Sequence, residues 1–200
     1  YEHLVDNAFY VANGKWNLYK CQHCRSAYLD PRPNKNSIHK AYGAYYTHEI
    51  AVNNEMPVAE LGVIRRVRRM LVNGYCNYHF GTNRTPYNVL GAYLLLLHSG
   101  FIKSMKAKFR YLPKPRPGQT ILDIGCGNGD FLSLASEVGW EAKGIDPDPK
   151  AIAVAKSRGL DVLQGGIEQF SECSEFFDVI TMSHVIGHVH DPIELVKAAY

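Results

Sequence analysis

Thr120-Ile-Leu-Asp-Ile-Gly-Cys-Gly-Asn-Gly-Asp130 decides the fold: a short apolar run gives way at once to three glycines on alternate positions. An apolar run of that length, bounded by turn residues, reads as a buried strand. Gly125, Gly127 and Gly129 then let the backbone turn tightly and approach a ligand with no Cβ in the way. Phe131, Leu134, Ala135 and Val138 follow at the i, i+3, i+4, i+7 spacing of a buried helix face, closed by Gly139. Strand, glycine turn and helix form the opening of a βα unit. In a parallel sheet the ligand lies beyond the carboxyl ends of the strands, against that first turn.

Downstream the pattern repeats. Glu141 to Ile145 reads as a second strand ending at Asp146, and Asp148 with Pro149 is an N-cap and first-turn pair for a helix that stops near Gly159. Asp161-Val-Leu163 is a third strand and Phe177-Asp-Val-Ile-Thr-Met182 a fourth. Asp191-Pro-Ile-Glu194 has the form of a capping box and opens a helix still running at Tyr200. Repeated βα units of this length predict an α/β fold with a Rossmann-like, doubly wound, mainly parallel sheet.

Two features separate the possible ligands. A dinucleotide loop has the spacing G-x-G-x-x-G, whereas here Asp130 falls where the third glycine would be. The strand also delivers Asp123 two residues before the first glycine. An acid there repels a pyrophosphate but suits a ligand carrying a sulfonium and an ammonium group. Asp146 follows about twenty residues on, where a carboxylate can accept both hydroxyls of a ribose.

Leu122-Asp-Ile-Gly-Cys-Gly-Asn-Gly-Asp-Phe131 resembles the first motif of class I S-adenosylmethionine-dependent methyltransferases, and Gly144-Ile-Asp-Pro147 the second. Phe177 to His184, with His188-Val-His-Asp-Pro192, resembles the fourth-strand signature of the group that includes the ubiquinone-type enzymes, the methyltransferase-23-like group. The resemblance covers Gln119 to Tyr200. It implies S-adenosylmethionine as cofactor and S-adenosylhomocysteine as product. It implies that Asp123, Gly125 and Gly127 line the methionine end, that Cys126 between them also binds the cofactor, that Asp146 holds the ribose, and that Pro147 lies beside the adenine. The Gly166-Ile167-Glu168 turn would face the adenine edge, with Ser183 at the fourth-strand tip. Gly166 departs from the acid or amide usual there, which shifts adenine recognition to the Ile167 N–H with Glu168 as helper. Gly187 departs from the glutamate usual before the histidine. The family fold has seven strands and this sequence supplies four, so the domain is expected to be truncated.

Methyl transfer from a sulfonium needs alignment of the acceptor and, where required, a base to take its proton. His184, His188 and His190 stand near the fourth-strand tip, and an unperturbed histidine titrates near ~6.5. His184 lies nearest the strand end and is the first candidate, with His188 second. The sequence lacks the Asn-Pro-Pro-Tyr or Asp-Pro-Pro-Tyr of amino-methylating enzymes of DNA and glutamine. It also lacks the Pro-Cys pair of pyrimidine-carbon enzymes. The expected acceptor is a small molecule or activated sugar, methylated at O, C or N. The competing readings are an RNA methyltransferase and a non-catalytic S-adenosylmethionine-binding module.

Upstream the texture differs. Residues 1–46 are aromatic and turn-rich, with a short strand around Trp16 to Tyr19 leading into Cys21-Gln-His-Cys24. That segment resembles the end of a zinc-ribbon-like module. A structural zinc needs four ligands, and Cys76, His23, His39 and His48 have no convincing spacing to complete a site, so no metal is expected without further ligands. Residues 47–117 read as a helical linker or lid. Leu61, Ile64, Arg65 and Arg68 show helical spacing, Val89 to Phe109 reads as one longer helix with a basic end, and a Pro-rich linker leads to the domain at 118–200.

The bulk numbers fit one globular core with an appendage: 200 residues, 46% hydrophobic, 20% charged, formal charge +3. That charge is too mild to imply nucleic acid, although Arg65, Arg66, Arg68 and Arg69 form one basic cluster and Lys103 to Arg116 another. Apolar residues beside a basic end make contact with an anionic lipid surface one reading of the Val89 to Phe109 segment. Five cysteines without a disulfide-like framework, and no signal peptide, point to a reducing cytoplasm.

Overall fold

A computed structural model of the chain describes residues 1–7, 14–34, 37, 62–172 and 175–200. Leu61, His39, His48 and Cys173 lie outside the described residues. The chain folds as two compact units, Tyr1–His48 and Glu49–Tyr200.

The first unit is built on an antiparallel hairpin of β1 (Asn17–Lys20) and β2 (Ala27–Asp30), with Tyr19 opposite Tyr28 and their rings stacked at 5.7 Å. The Cys21–Cys24 segment forms the turn. The Cys21 N–H donates to Ser26 O (2.8 Å), and Arg25 takes the left-handed conformation that closes it. Leu4 bridges Trp16 alongside.

In the second unit four strands pair in parallel in the order β5 (Asp161–Gln164), β4 (Glu141–Asp146), β3 (Thr120–Ile124), β6 (Val179–Met182). Alternation along β3 assigns its faces. Ile121 packs with Ala135 and Trp140 on one side, whereas Leu122 and Ile124 join Ile145, Phe170, Leu195 and Ala199 on the other. Helices α4 (Asp130–Val138) and α5 (Pro149–Ser157) follow β3 and β4, and α6 (Pro192–Ala199) follows β6. Asp148 and Asp191 both cap as expected, accepting from Lys150 N and Glu194 N. β6 begins two residues later than expected. Phe177 packs edge-on against Phe170, and Asp178 binds the start of β3 through Thr120 N (2.8 Å) and Thr120 Oγ1 (3.1 Å).

The helices before the sheet belong to the same unit. α1 (Val63–Phe80) carries Tyr75, Cys76 and Phe80 into a core shared with Phe109, Leu134 and Val138, the Phe80 and Phe109 rings stacking at 3.9 Å. Arg84 grips Glu137 of α4 with two nitrogens, at 2.6 and 2.7 Å. The expected single helix over Val89 to Phe109 is corrected. It breaks into α2 (Gly91–Leu94), a 3-10 turn over Leu95–Leu97, and α3 (Ser99–Lys108). His98 causes the break, leaving helical geometry and accepting the Phe101 N–H on Nδ1 (3.1 Å), a local cap that competes with a continuous helix. α2 crosses α1 closely enough that a Cβ on Gly91 would stand 1.9 Å from the Leu71 carbonyl oxygen.

Candidate active site

β3 is the switch point of the sheet: β4 and β5 extend to one side of it and β6 to the other, so a crevice opens where β3 ends. The glycine turn occupies that crevice. Gly125 N–H and Cys126 N–H both donate to Ile145 O, at 2.8 and 3.0 Å, and stitch the turn to β4. Gly125 sits at φ +72, and a Cβ there would lie 2.4 Å from Val185 Cγ2. Glycine is what allows the segment after β6 to lie over the turn.

Asp146, at the end of β4, is fixed by both oxygens. Gly127 N–H donates to Oδ2 at 2.8 Å and Asp148 N–H to Oδ1 at 2.9 Å. Pro147, the next residue, is exposed. Gly165 N–H donates to Asp146 O (3.0 Å), which brings the turn after β5 beside β4. In that turn Gly166 caps a 3-10 segment over Ile167–Phe170. The Ile167 N–H opens the segment, where an N–H has no intrahelical acceptor. The Glu168 side chain folds back on its own turn, accepting the Gly166 N–H at 2.7 Å.

Cys126 of the turn and Asp123 of β3 both carry buried side chains. Cys126 is buried among Leu132, Ile152, Ala155 and Val162, and its thiol is pushed up to about 12 by burial and by the nearby Asp146 and Asp123 carboxylates. Its side chain therefore packs into the core, and the thiol stays protonated at neutral pH. Asp123 is fully buried. Its Oδ1 accepts from Arg110 Nη1 and from Thr181 Oγ1 (2.9 Å), while Arg110 Nη1 also reaches Thr181 Oγ1 (2.9 Å). Burial raises the Asp123 pKa above the usual carboxylate range, and Arg110 opposes that rise.

Arg110 is the site residue that sequence reasoning missed, because it stands in a basic run that reads as solvated. Arg110 and Tyr111 take consecutive left-handed conformations at φ 49 and 57, and Tyr111 N–H closes the end of α3 on Lys106 O (2.8 Å). The turn swings the guanidinium under the sheet, where its carbon lies 3.6 Å over the Phe131 ring. Asp123 Oδ2 is buried with no hydrogen-bond partner among the described residues.

The segment after β6 carries the candidate bases. Ser183 is half-buried, and His184 is exposed in the left-handed region at φ +58, a costly conformation for a non-glycine residue. Val185 turns inward onto Leu122, Ile124 and Ile145. His188 N–H donates to Val185 O (2.8 Å), and His188 is exposed with His190 half-buried. Among the described residues no group of three or more His, Cys, Asp or Glu side chains could hold a metal ion. The Cys21 and Cys24 thiols are free.

A parallel sheet with a glycine turn at its switch point, and an acid near the end of each of the two central strands, defines the fold of class I S-adenosylmethionine-dependent methyltransferases. A family model described as a methyltransferase domain matches residues 100–200, and the chain belongs to that family. It is 37% identical over 84 residues to a ubiquinone biosynthesis O-methyltransferase of Azorhizobium caulinodans, which covers 39% of this chain and 33% of that protein. The protein of the same name in Methylobacterium sp. is 33% identical over 93 residues, covering 44% of this chain and 37% of that one. The matched stretch thus spans about a third of the length of these curated relatives. Among solved structures, a SAM dependent methyltransferase from Archaeoglobus fulgidus is similar with a TM-score of 0.42 and 29% identity, over 54% of this chain and 52% of that one.

Proposed function

We propose that this chain holds the cofactor half of an enzyme that moves a methyl group from S-adenosylmethionine to an oxygen of a small-molecule acceptor, a class that includes sugar and glycan precursors. The observation that carries the reading is the Asp123–Arg110 pair beneath the glycine turn. The methionine end of the cofactor bears an ammonium and a carboxylate. A buried anion with an unpartnered oxygen and a neighbouring cation complement that pair of charges, whereas Asp123 would repel a pyrophosphate. The name of the relatives favours oxygen as the methylated atom.

In this reading residues 118–200 bind the cofactor and the helices of 62–117 cover the acceptor side. Asp146 accepts the ribose hydroxyls, while Pro147 and the Ile167 N–H meet the adenine. Gly125, Gly127 and Ser183 give the methionine chain close passage. S-adenosylmethionine supplies the electrophilic methyl group on its sulfonium. The chain's own part is to orient the acceptor and take its proton, and the exposure of His184 at the strand tip supports it as the first candidate base, with His188 as the alternative.

Calorimetric titration of S-adenosylhomocysteine and NAD into wild type, Asp146→Ala and Arg110→Gln tests the site. The homocysteine ligand should bind, with at least a tenfold loss in each variant, and NAD should not. Preferential binding of NAD would overturn the reading. Cofactor binding with no turnover by the full-length protein, across phenolic and sugar acceptors, would leave a binding module instead.

A further inference from the structure

We infer that the helical layer formed by α1, α2 and α3 docks on the surface of an anionic lipid bilayer. Between Glu60 and Asp123 the sequence has eleven Lys and Arg residues and no Asp or Glu. Arg84 and Arg110 are used internally, on Glu137 and Asp123. Arg65, Arg66, Arg68, Lys103, Lys106 and Lys108 are exposed, with no ion pair among the described residues.

The apolar residues of the same layer are exposed as well. Leu97 is 88% exposed, Ile64 85% and Val63 79%, with Val89, Leu90 and Leu94 each above half. These are not core residues seen from outside, because the inward side of α2 and the turn after it is formed by Gly91, Ala92 and Leu95. Leu90, Leu94 and Leu97 recur at one helical face.

The two sets meet. Asn88 N–H donates to Met70 O (2.9 Å) and Gly91 packs on Leu71, so Val89 and Leu90 lie against the turn of α1 that follows the arginines. Exposed Tyr78 and Tyr93 flank the crossing, their rings 5.9 Å apart, and tyrosine suits the zone between headgroup and acyl chain. Aliphatic side chains among cations with no anion match a bilayer on both counts: leucine enters the acyl boundary while arginine and lysine meet phosphate. A nucleic acid would use the cations and leave the leucines without a partner. No helix among the described residues is long and apolar enough to cross a membrane, so the contact is with the surface.

Sedimentation of the full-length protein with vesicles tests this. Vesicles of phosphatidylcholine and phosphatidylglycerol in equal parts should bind it at least tenfold more tightly than phosphatidylcholine alone, and binding should weaken at high salt. Arg65→Gln/Arg66→Gln/Arg68→Gln and Leu90→Ser/Leu97→Ser should each lower binding at least tenfold. Both sets change exposed side chains, and retained S-adenosylhomocysteine affinity, or retained circular dichroism if that ligand does not bind, shows that the variants fold. Equal binding of both vesicle types, or none, overturns the proposal. So does RNA binding that the arginine set abolishes and the leucine set leaves intact, and so does self-association relieved by the leucine set without vesicle binding.

Discussion

A buried carboxylate at neutral pH needs a cation beside it, and Asp123 obtains one from Arg110 at the end of a preceding helix. Replacing Arg110 with Met leaves the charge buried and uncompensated, with an expected loss of about 3–5 kcal/mol. The sign of its pH dependence follows from burial, which raises the Asp123 pKa above its unfolded value. Between the unfolded and the raised pKa the folded state holds a proton that the unfolded state releases, so the Asp123 contribution to stability is greatest at low pH and falls as pH rises through the raised pKa. Urea melts of Arg110→Met should therefore give a higher midpoint at pH 5 than at pH 8, and Asp123→Asn added to it should remove that difference. Cys24 invites a second titration. Hydrogen bonds from Ser26, then Cys21, lower its thiol to about 7, while burial holds Cys126 near 12. Alkylation followed by mass spectrometry should reach half its maximal rate at Cys24 near pH 7, at a higher pH in Ser26→Ala, and should not proceed at Cys126 in the folded protein.

The elements divide by how local their causes are. All four parallel strands and the helices between them were legible because each rests on its own period and its own cap: Thr120–Ile124 with its glycine turn, Asp148 with Pro149, Asp191 with Glu194. The break at His98 was not legible, since an unbroken apolar run has the same spacing in one helix or in two and the cap that decides it is an imidazole. The crossing of α1 and α2 was equally hidden, because it depends on Gly74 and Gly91 facing the backbone of Asn88 and Leu71. Gly91→Ala should lower stability by about 1–3 kcal/mol, read as a fall in thermal midpoint. Gly187→Ala, with no atom within 4 Å of the new Cβ, should change it by less than about 0.5 kcal/mol. Asp178 joins the first residues of β3 and β6, and the N–H and hydroxyl of Thr120 lower its pKa. Its contribution is present above the unfolded value and lost as pH falls through the lowered one. An NMR titration should place its midpoint below 3.8, and Thr120→Val should move it back up.

At the scale of the whole molecule, the glycine turn and the acids flanking it were readable because they lie in one contiguous stretch, Leu122 to Pro147, whereas the cation paired with Asp123 comes from the helical layer. The helices of 62–117 and the sheet of 118–200 fall in one compact unit. The Phe80–Phe109 stack rests on the core that includes Leu134, Arg84 holds the last turn of α4, and α3 ends in the guanidinium that reaches Asp123. Helix α4 starts at the glycine turn, so the outer helices grip both the far end of the element that carries the turn and the acid beneath it. A ligand of α1 to α3 that binds differently when the crevice is filled alters the free energy of filling it, and reciprocity requires the crevice to act back by the same factor. The fold is in this respect a lever with two loaded arms: whatever ratio cofactor changes in the grip of the outer helices on their own partner, that partner must return in the affinity for cofactor.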